Sequence, residues 1–139
     1  MPYKDYEKRL EHQREYYLKN IKKCKDSIKD WQRKNPEKRR QLNKRYRENL
    51  RFEMLCYYSN GTMKCACPPC GETRYEFLTI DHINNDGAKH RKELGNKRLS
   101  GWKFYEWLRH NKYPEGYQVL CMNCNFGKRM NNGICPHAP

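Results

Sequence analysis

The sequence contains no long apolar run, and neither end carries a pattern typical of a signal peptide or a lipidation site. A membrane-spanning helix needs about 20 mainly apolar residues. We therefore expect no membrane attachment. Hydrophobic residues are scarce overall, at 36% of 139 residues with a mean hydropathy of −1.31. Because burial alone would give a weak fold, we expect a structural metal to supply the missing stability.

Acidic residues are few relative to basic ones. Lys and Arg number 30 against 16 Asp and Glu, which gives a net charge of +14 and a pI near 9.5. Such a balance is typical of proteins that bind polyanions, and it favours nucleic acid over an anionic membrane surface. Residues 1–53 hold 18 of the basic residues and 9 of the acidic ones, so the first part of the chain is the more basic.

Eight cysteines stand out against this composition. Without a secretory signal, their paired spacing favours metal binding over disulfides and a reducing, cytosol-like compartment. Two Cys-x-x-Cys pairs are present, and two such pairs complete a tetrahedral zinc site. The predicted zinc ligands are Cys67, Cys70, Cys121 and Cys124.

The other cysteines have less informative surroundings. Cys65 is expected to be a small buried residue, and Cys24 and Cys56 lie in apolar patterns that predict packing. Cys135 and His137 could form a further metal half-site. Two ligands without identifiable partners instead favour simple closure of the C-terminal tail.

Residues 1–60 are predicted to form a basic arm of two helices. One apolar stripe has helical spacing; it comprises Tyr3, Tyr6, Leu10, Tyr17, Ile21, Cys24, Ile28 and Trp31. Asn35-Pro36 predicts the start of a second helix, and Asn60-Gly61 predicts its end. We expect the arm to contact DNA backbone through the following residues: Arg33, Lys34, Arg39, Arg40, Lys44 and Arg45. A solvated face and a dimerising coiled coil, which would make a homodimer, are the alternatives.

Residues 61–139 are predicted to form a small α+β domain. Residues 75–83 are rich in β-branched and aromatic residues and predict a strand, and residues 117–120 predict a second one. A short helix is expected over residues 101–110, and another begins at Cys124. The order is strand, long excursion, strand, helix.

Polar residues at the strand end and helix start suggest phosphodiester chemistry. A neutral His82 would activate water near pH 7, while Asp81 and Asn125 offer oxygen ligands suited to Mg²⁺. Lys128 lies on the same helical face as Asn125 and is expected to reach a phosphate. Because neighbouring strand residues point to opposite faces, Asp81 and His82 can share a site only if the strand twists or bulges.

These residues resemble the HNH endonuclease family, also called the His-Me finger or ββα-metal family. The resemblance rests on Asp81-His82, the second strand ending at Cys121, and Cys124-Asn125-x-x-Lys128. It covers roughly residues 64–137 and is closest to phage and intron-encoded members with a four-cysteine zinc site, including those that resolve DNA junctions. The arm lies outside it.

The resemblance implies a Mg²⁺- or Mn²⁺-dependent DNA endonuclease with a structural zinc, in the cytoplasm of a bacterial host if phage-encoded. It implies His82 as general base, Asp81 and Asn125 as ligands of the catalytic Mg²⁺, and Lys128 as a helper at the phosphate. Lys128 stands where many members have a second histidine. His90 and Arg91, in the long excursion, are candidates for DNA contact.

Two other functions remain alternatives. A non-catalytic zinc-ribbon regulator that binds nucleic acid would explain the charge and the cysteines. A protein-binding zinc module with a coiled-coil arm is the third reading.

Overall fold

A computed structural model describes residues 5–95 and 99–137 of the chain. This part is an α+β protein with a two-stranded antiparallel sheet. Its helices are α1 Tyr6–Lys19, α2 Ile21–Lys34, α3 Pro36–Tyr58, α4 Gly87–Glu93, α5 Trp102–His110 and α6 Met122–Met130, and its strands are β1 Leu78–His82 and β2 Tyr117–Cys121. None of the described helices has the length and apolar character needed to cross a membrane.

The first predicted helix of the arm is divided at Asn20. The Asn20 side chain and its backbone N–H both donate to the Tyr16 carbonyl, which ends α1 after Lys19. Asparagine favours such local bonding to the backbone over a helix interior. The expectation of a single helix up to Trp31 was therefore wrong. No residue of α1 or α2 is buried, and Tyr3 lies outside the described residues.

Helix α3 begins and ends where the sequence predicted. It starts at Pro36, and after Tyr58 the residues Asn60 and Gly61 have φ values of 51° and 77°. These left-handed conformations end the helix, as Asn and Gly allow. The side chain of Asn35, the residue before α3, donates to the Trp31 carbonyl of α2.

The chain divides into compact units between Lys44 and Arg45, not at residue 60 as predicted. The reason lies in the second half of α3, where Leu50, Met54 and Leu55 are buried in the core of residues 45–137. A basic amphipathic pattern continues through the whole helix, so composition alone does not reveal this boundary.

Strands β1 and β2 pair in an uninterrupted antiparallel register, with Leu78 opposite Cys121 and His82 opposite Tyr117. The first three residues predicted as strand, Tyr75–Phe77, form a 3₁₀ turn. Arg51 holds this turn by donating to the carbonyls of Tyr75, Glu76 and Leu78. The core packs around the sheet. It comprises Leu50, Met54, Leu55, Cys65, Cys67, Leu78, Ile80, Leu108, Val119, Leu120, Cys121 and Cys124.

The excursion between the strands contains one helix that was predicted and one that was not. Helix α5 follows Gly101 as expected, and its Leu108 is fully buried. Helix α4 occupies Gly87–Glu93, a part of the excursion for which no helix was predicted. Helix α6 follows β2 directly and packs on both strands.

Candidate metal centre and active site

Four cysteines meet where β2 enters α6. Cys65, Cys70, Cys121 and Cys124 place their sulfur atoms within 4.8 Å of one another, and the Cys70 and Cys121 sulfurs are 3.6 Å apart. Four thiolates on one zinc, each at about 2.3 Å from the metal, have sulfurs roughly 3.8 Å apart. This group can therefore hold a metal ion such as zinc.

A second group adjoins the first. Cys67, Cys124, Cys135 and His137 also place one ligand atom each within 4.8 Å of the others. The predicted zinc set thus differs from the structure in one member, because Cys65 lies with Cys70, Cys121 and Cys124, whereas Cys67 lies in the second group. Cys65 is buried, as expected, and it also belongs to this candidate metal group.

The path of the backbone explains why Cys65, and not Cys67, lies with Cys70, Cys121 and Cys124. The Cys65 N–H donates to the Glu72 carbonyl and the Ala66 N–H to the Val119 carbonyl, so this segment runs beside β2. The Cys121 N–H donates to the Cys65 sulfur at 3.2 Å. Backbone N–H groups that donate to sulfur stabilise thiolate ligands of a metal.

Burial raises the pKa of the Cys65, Cys67 and Cys124 thiols, whereas a hydrogen bond from the Glu72 backbone lowers the pKa of Cys70. The three buried thiolates of Cys65, Cys67 and Cys124 would therefore be unfavourable here without a cation. Coordination to a metal reverses this, since a bound thiol loses its proton. The donor set thus suits a bound metal better than it suits free thiolates.

A separate cavity of about 480 Å³ lies at the end of β1. Asp81, His82 and Asn125 all line it. The strand pairs residue for residue through His82, so no bulge brings Asp81 and His82 together. They share the cavity because β1 ends at His82 and the chain turns there, so that α4, α5 and α6 also contribute to its wall.

Asp81 lines this cavity and is only 5% exposed. Its Oδ2 atom accepts from Lys128 Nζ at 2.7 Å and from Gln118 Nε2 at 2.9 Å. Both bonds end on the same oxygen. Across residues 5–95 and 99–137, no side chain or backbone group donates to Oδ1, so Oδ1 is the oxygen that can bind a ligand.

Lys128 does not have the predicted position at a phosphate. Its ammonium donates to Asp81, to the His82 carbonyl at 2.6 Å and to the Ile83 carbonyl at 2.8 Å. These bonds use all three of its donors, and the residue is 4% exposed. Lys128 therefore neutralises Asp81 and fixes the end of β1.

The His82 ring is enclosed on several sides. It stacks on Phe104 with ring centroids 5.4 Å apart, and its Nδ1 would lie 3.0 Å from a Cβ added to Gly87. Burial is the main cause that lowers the pKa of His82, and the charge of His90 lowers it further. A lowered pKa favours the neutral imidazole, the form that accepts a proton.

His90 forms part of the site. Its Nδ1 lies 3.1 Å from His82 Nε2, so one of the two nitrogens donates to the other. Arg91 and Arg129 of α6 also line the cavity. The two residues that the sequence offered as DNA contacts thus stand beside Asp81 and His82.

The predicted DNA contacts of the arm are all exposed. They are Arg33, Lys34, Arg39, Arg40, Lys44 and Arg45. Among them, Arg33 and Lys34 pair with Asp30, and Arg40 pairs with Glu37. Exposed pairs of this kind contribute little to stability and exchange readily for a phosphate.

Several residues of these sites were missed by sequence reasoning. Gln118 faces Asp81 across the sheet, and only the strand register reveals it. Phe104 lies in the short helix predicted over residues 101–110 but was not identified as a site residue, and Arg129 had no distinguishing pattern. For Cys135 and His137 the signal was present in the residue types, but their partners were not identifiable.

Comparisons of the chain with protein-family models, with curated proteins and with solved structures found no match.

Proposed function

We propose that the protein is a Mg²⁺-dependent DNA endonuclease of the HNH type, with a ββα-metal site formed by β1, β2 and α6. The observation that carries the proposal is the shared cavity, which is lined by the Asp81 carboxylate and the His82 imidazole at the end of β1 and by the Asn125 carboxamide of α6. The phage or mobile-element origin, which only the family resemblance suggests, belongs to the same proposal.

The residues present fit a Mg²⁺ ion. Asp81 presents Oδ1 without a described partner, and Asn125 adds a carboxamide oxygen, both hard ligands of the kind that Mg²⁺ prefers. A bound Mg²⁺ supplies positive charge at the scissile phosphate and the leaving oxygen. Because Lys128 already neutralises Asp81, the site offers little net negative charge, and we expect tight binding only when a DNA phosphate adds its own.

His82 is the proposed general base. Its neutral imidazole would accept a proton from the water that attacks phosphorus, and the 3′ oxygen would leave in line with that attack. Phe104 and Gly87 restrict the ring to one plane. His90 holds Nε2 of His82 and thereby sets which ring nitrogen carries hydrogen.

The charge of the chain supports DNA as the substrate. Arg91 and Arg129 line the cavity, and the exposed basic residues of the arm offer further phosphate contacts. Such contacts position a duplex without reading its sequence. Duplex and branched DNA both fit this description.

Cleavage of supercoiled plasmid tests the proposal. The protein should nick or cut DNA with Mg²⁺ or Mn²⁺ and not with Ca²⁺ or EDTA. His82→Ala should lose at least about 100-fold in rate, the contribution typical of a general base, while DNA affinity and zinc content stay unchanged. His110→Ala, an exposed histidine that does not line the cavity, is the matched control. Equal rates for the two variants would remove His82 from the mechanism.

One observation favours a second candidate, a zinc protein that binds nucleic acid without cleaving it. The buried pair of Asp81 with Lys128 gives Asp81 a structural role that needs no catalytic ion. This candidate predicts salt-sensitive DNA binding with no cleavage in any metal. The plasmid assay distinguishes the two.

A further inference from the structure

Seven sulfur and nitrogen ligand atoms surround the start of α6. They form two groups of four that share one member, Cys124. Cys124 is fully buried and lies between the two groups. A structural zinc takes four ligands in a tetrahedron, so two tetrahedra that share one corner need seven ligands in all.

We propose that the chain binds two zinc ions bridged by the Cys124 thiolate. Cys65, Cys70 and Cys121 complete the first tetrahedron. Cys67, Cys135 and His137 complete the second.

Distances in the second group match those of a metal site. The Cys67 and Cys135 sulfurs are 3.4 Å apart, and the Cys124 sulfur is 3.4 Å from His137 Nδ1. A disulfide requires about 2.05 Å between sulfurs, whereas two ligands of one tetrahedral zinc lie roughly 3.5–3.8 Å apart. The cysteines of the chain are accordingly free thiols.

The conformation of the C-terminal tail places Cys135 and His137 beside the start of α6. After α6 the chain reverses through Asn132 and Gly133, with φ values of 50° and 89°, and the Gly133 N–H donates to the Lys128 carbonyl. Pro136 then packs on Gly127 so closely that an added Cβ would lie 2.8 Å from the proline Cδ. The ligands Cys135 and His137 flank this contact.

The second ion would fix the position of Asn125. Cys124 would be bound from both sides, and Asn125 is the next residue of the helix. The bridge therefore holds the start of α6 more rigidly than one ion would. This inference stands whether or not the protein cleaves DNA.

Zinc content per chain tests the proposal. Native mass spectrometry and metal analysis of protein purified under reducing conditions should give two zinc ions for the wild type. His137→Ala and Cys135→Ser should each lower the content to one while the fold remains. The matched controls His110→Ala and Cys24→Ser, whose side chains lie outside both groups, should keep two.

Gly127→Ala provides a variant that changes no ligand. The added methyl group must displace Pro136, so the second ion should be lost and the first retained. In cadmium-substituted wild type, ¹¹³Cd NMR should show two resonances coupled through the shared sulfur. One zinc in the wild type, an unchanged content in His137→Ala, a Cys67–Cys135 disulfide under reducing purification, or two uncoupled cadmium signals would each overturn the proposal.

Discussion

The Lys128 ammonium donates to Asp81 Oδ2 at 2.7 Å, with side chains that are 5% and 6% exposed. A buried pair of this kind has two consequences. It makes Lys128 unavailable to substrate, and it orients Asp81 so that Oδ1 is the oxygen left for a ligand. The same ion pair therefore links the stability of the domain to its proposed chemistry.

Replacing Lys128 should be strongly destabilising. Lys128→Met leaves the Asp81 carboxylate buried without its partner and also removes donors from the His82 and Ile83 carbonyls. We expect a loss of about 3–5 kcal/mol in the free energy of unfolding, measured by urea denaturation with zinc present. Lys103→Met, at an exposed position, should change it by less than about 0.5 kcal/mol. A loss below about 1 kcal/mol for Lys128→Met would contradict a structural role for the pair.

His90 should act through His82. His90→Ala removes the partner of His82 Nε2, so we expect cleavage to slow by roughly tenfold, less than the effect of His82→Ala. His90→Asn places a carboxamide near the position of Nδ1 and should restore part of the rate. If both the His90→Ala and the His90→Asn variants cut DNA as fast as the wild type, His90 has no part in positioning the general base His82.

Removal of metal should unfold residues 45–137. Their core is small and includes four cysteines of the candidate metal groups, Cys65, Cys67, Cys121 and Cys124. Because metal binding supplies folding free energy, a strong chelator should abolish cooperative unfolding and hydrogen-exchange protection in β1 and β2. Re-addition of zinc should restore both. Retained protection in metal-free protein would mean that the core is sufficient by itself.

The arm should contribute to DNA affinity through charge. Arg39 and Arg45 are exposed. Replacing both by Gln should reduce the steepness with which the DNA association constant falls with salt. In a plot of log K against log salt concentration, the slope should decrease in magnitude by about 1 for each phosphate contact that is lost. A variant with Lys at both positions keeps the charge and should keep the slope. If the Gln variant keeps it too, the arm does not bind phosphate through these residues, and the homodimer alternative gains support.

Local patterns predicted much of the fold. The start of α3 at Pro36, its end before Asn60, the two strands and α5 all follow from turn residues, caps and periodicity. The division at Asn20 was missed because an apolar stripe with helical spacing continues across it. Helix α4 was not predicted, for two reasons. The residues from Asn84 to Gly87 are typical of a turn, and the helix that follows is too short to show a periodic apolar pattern.

The sequence indicated which types of residue form the candidate sites, but it did not indicate which of these residues contact each other. Paired cysteines indicated a metal site, yet the choice between Cys65 and Cys67 depends on how that segment runs beside β2. Helix phase placed Lys128 on the face of Asn125, but not the carbonyls of His82 and Ile83 to which it donates. Interactions between residues distant in sequence depend on strand register and chain reversal, which local patterns do not contain.

The most direct test of the central claim is the position of a catalytic cation. Crystals of His82→Ala with duplex DNA and Mn²⁺ should show an anomalous peak bonded to Asp81 Oδ1 and to the Asn125 carboxamide oxygen, beside a phosphate. A peak at neither residue, in a complex where DNA occupies the cavity, would contradict the nuclease account and leave a basic metal-binding protein.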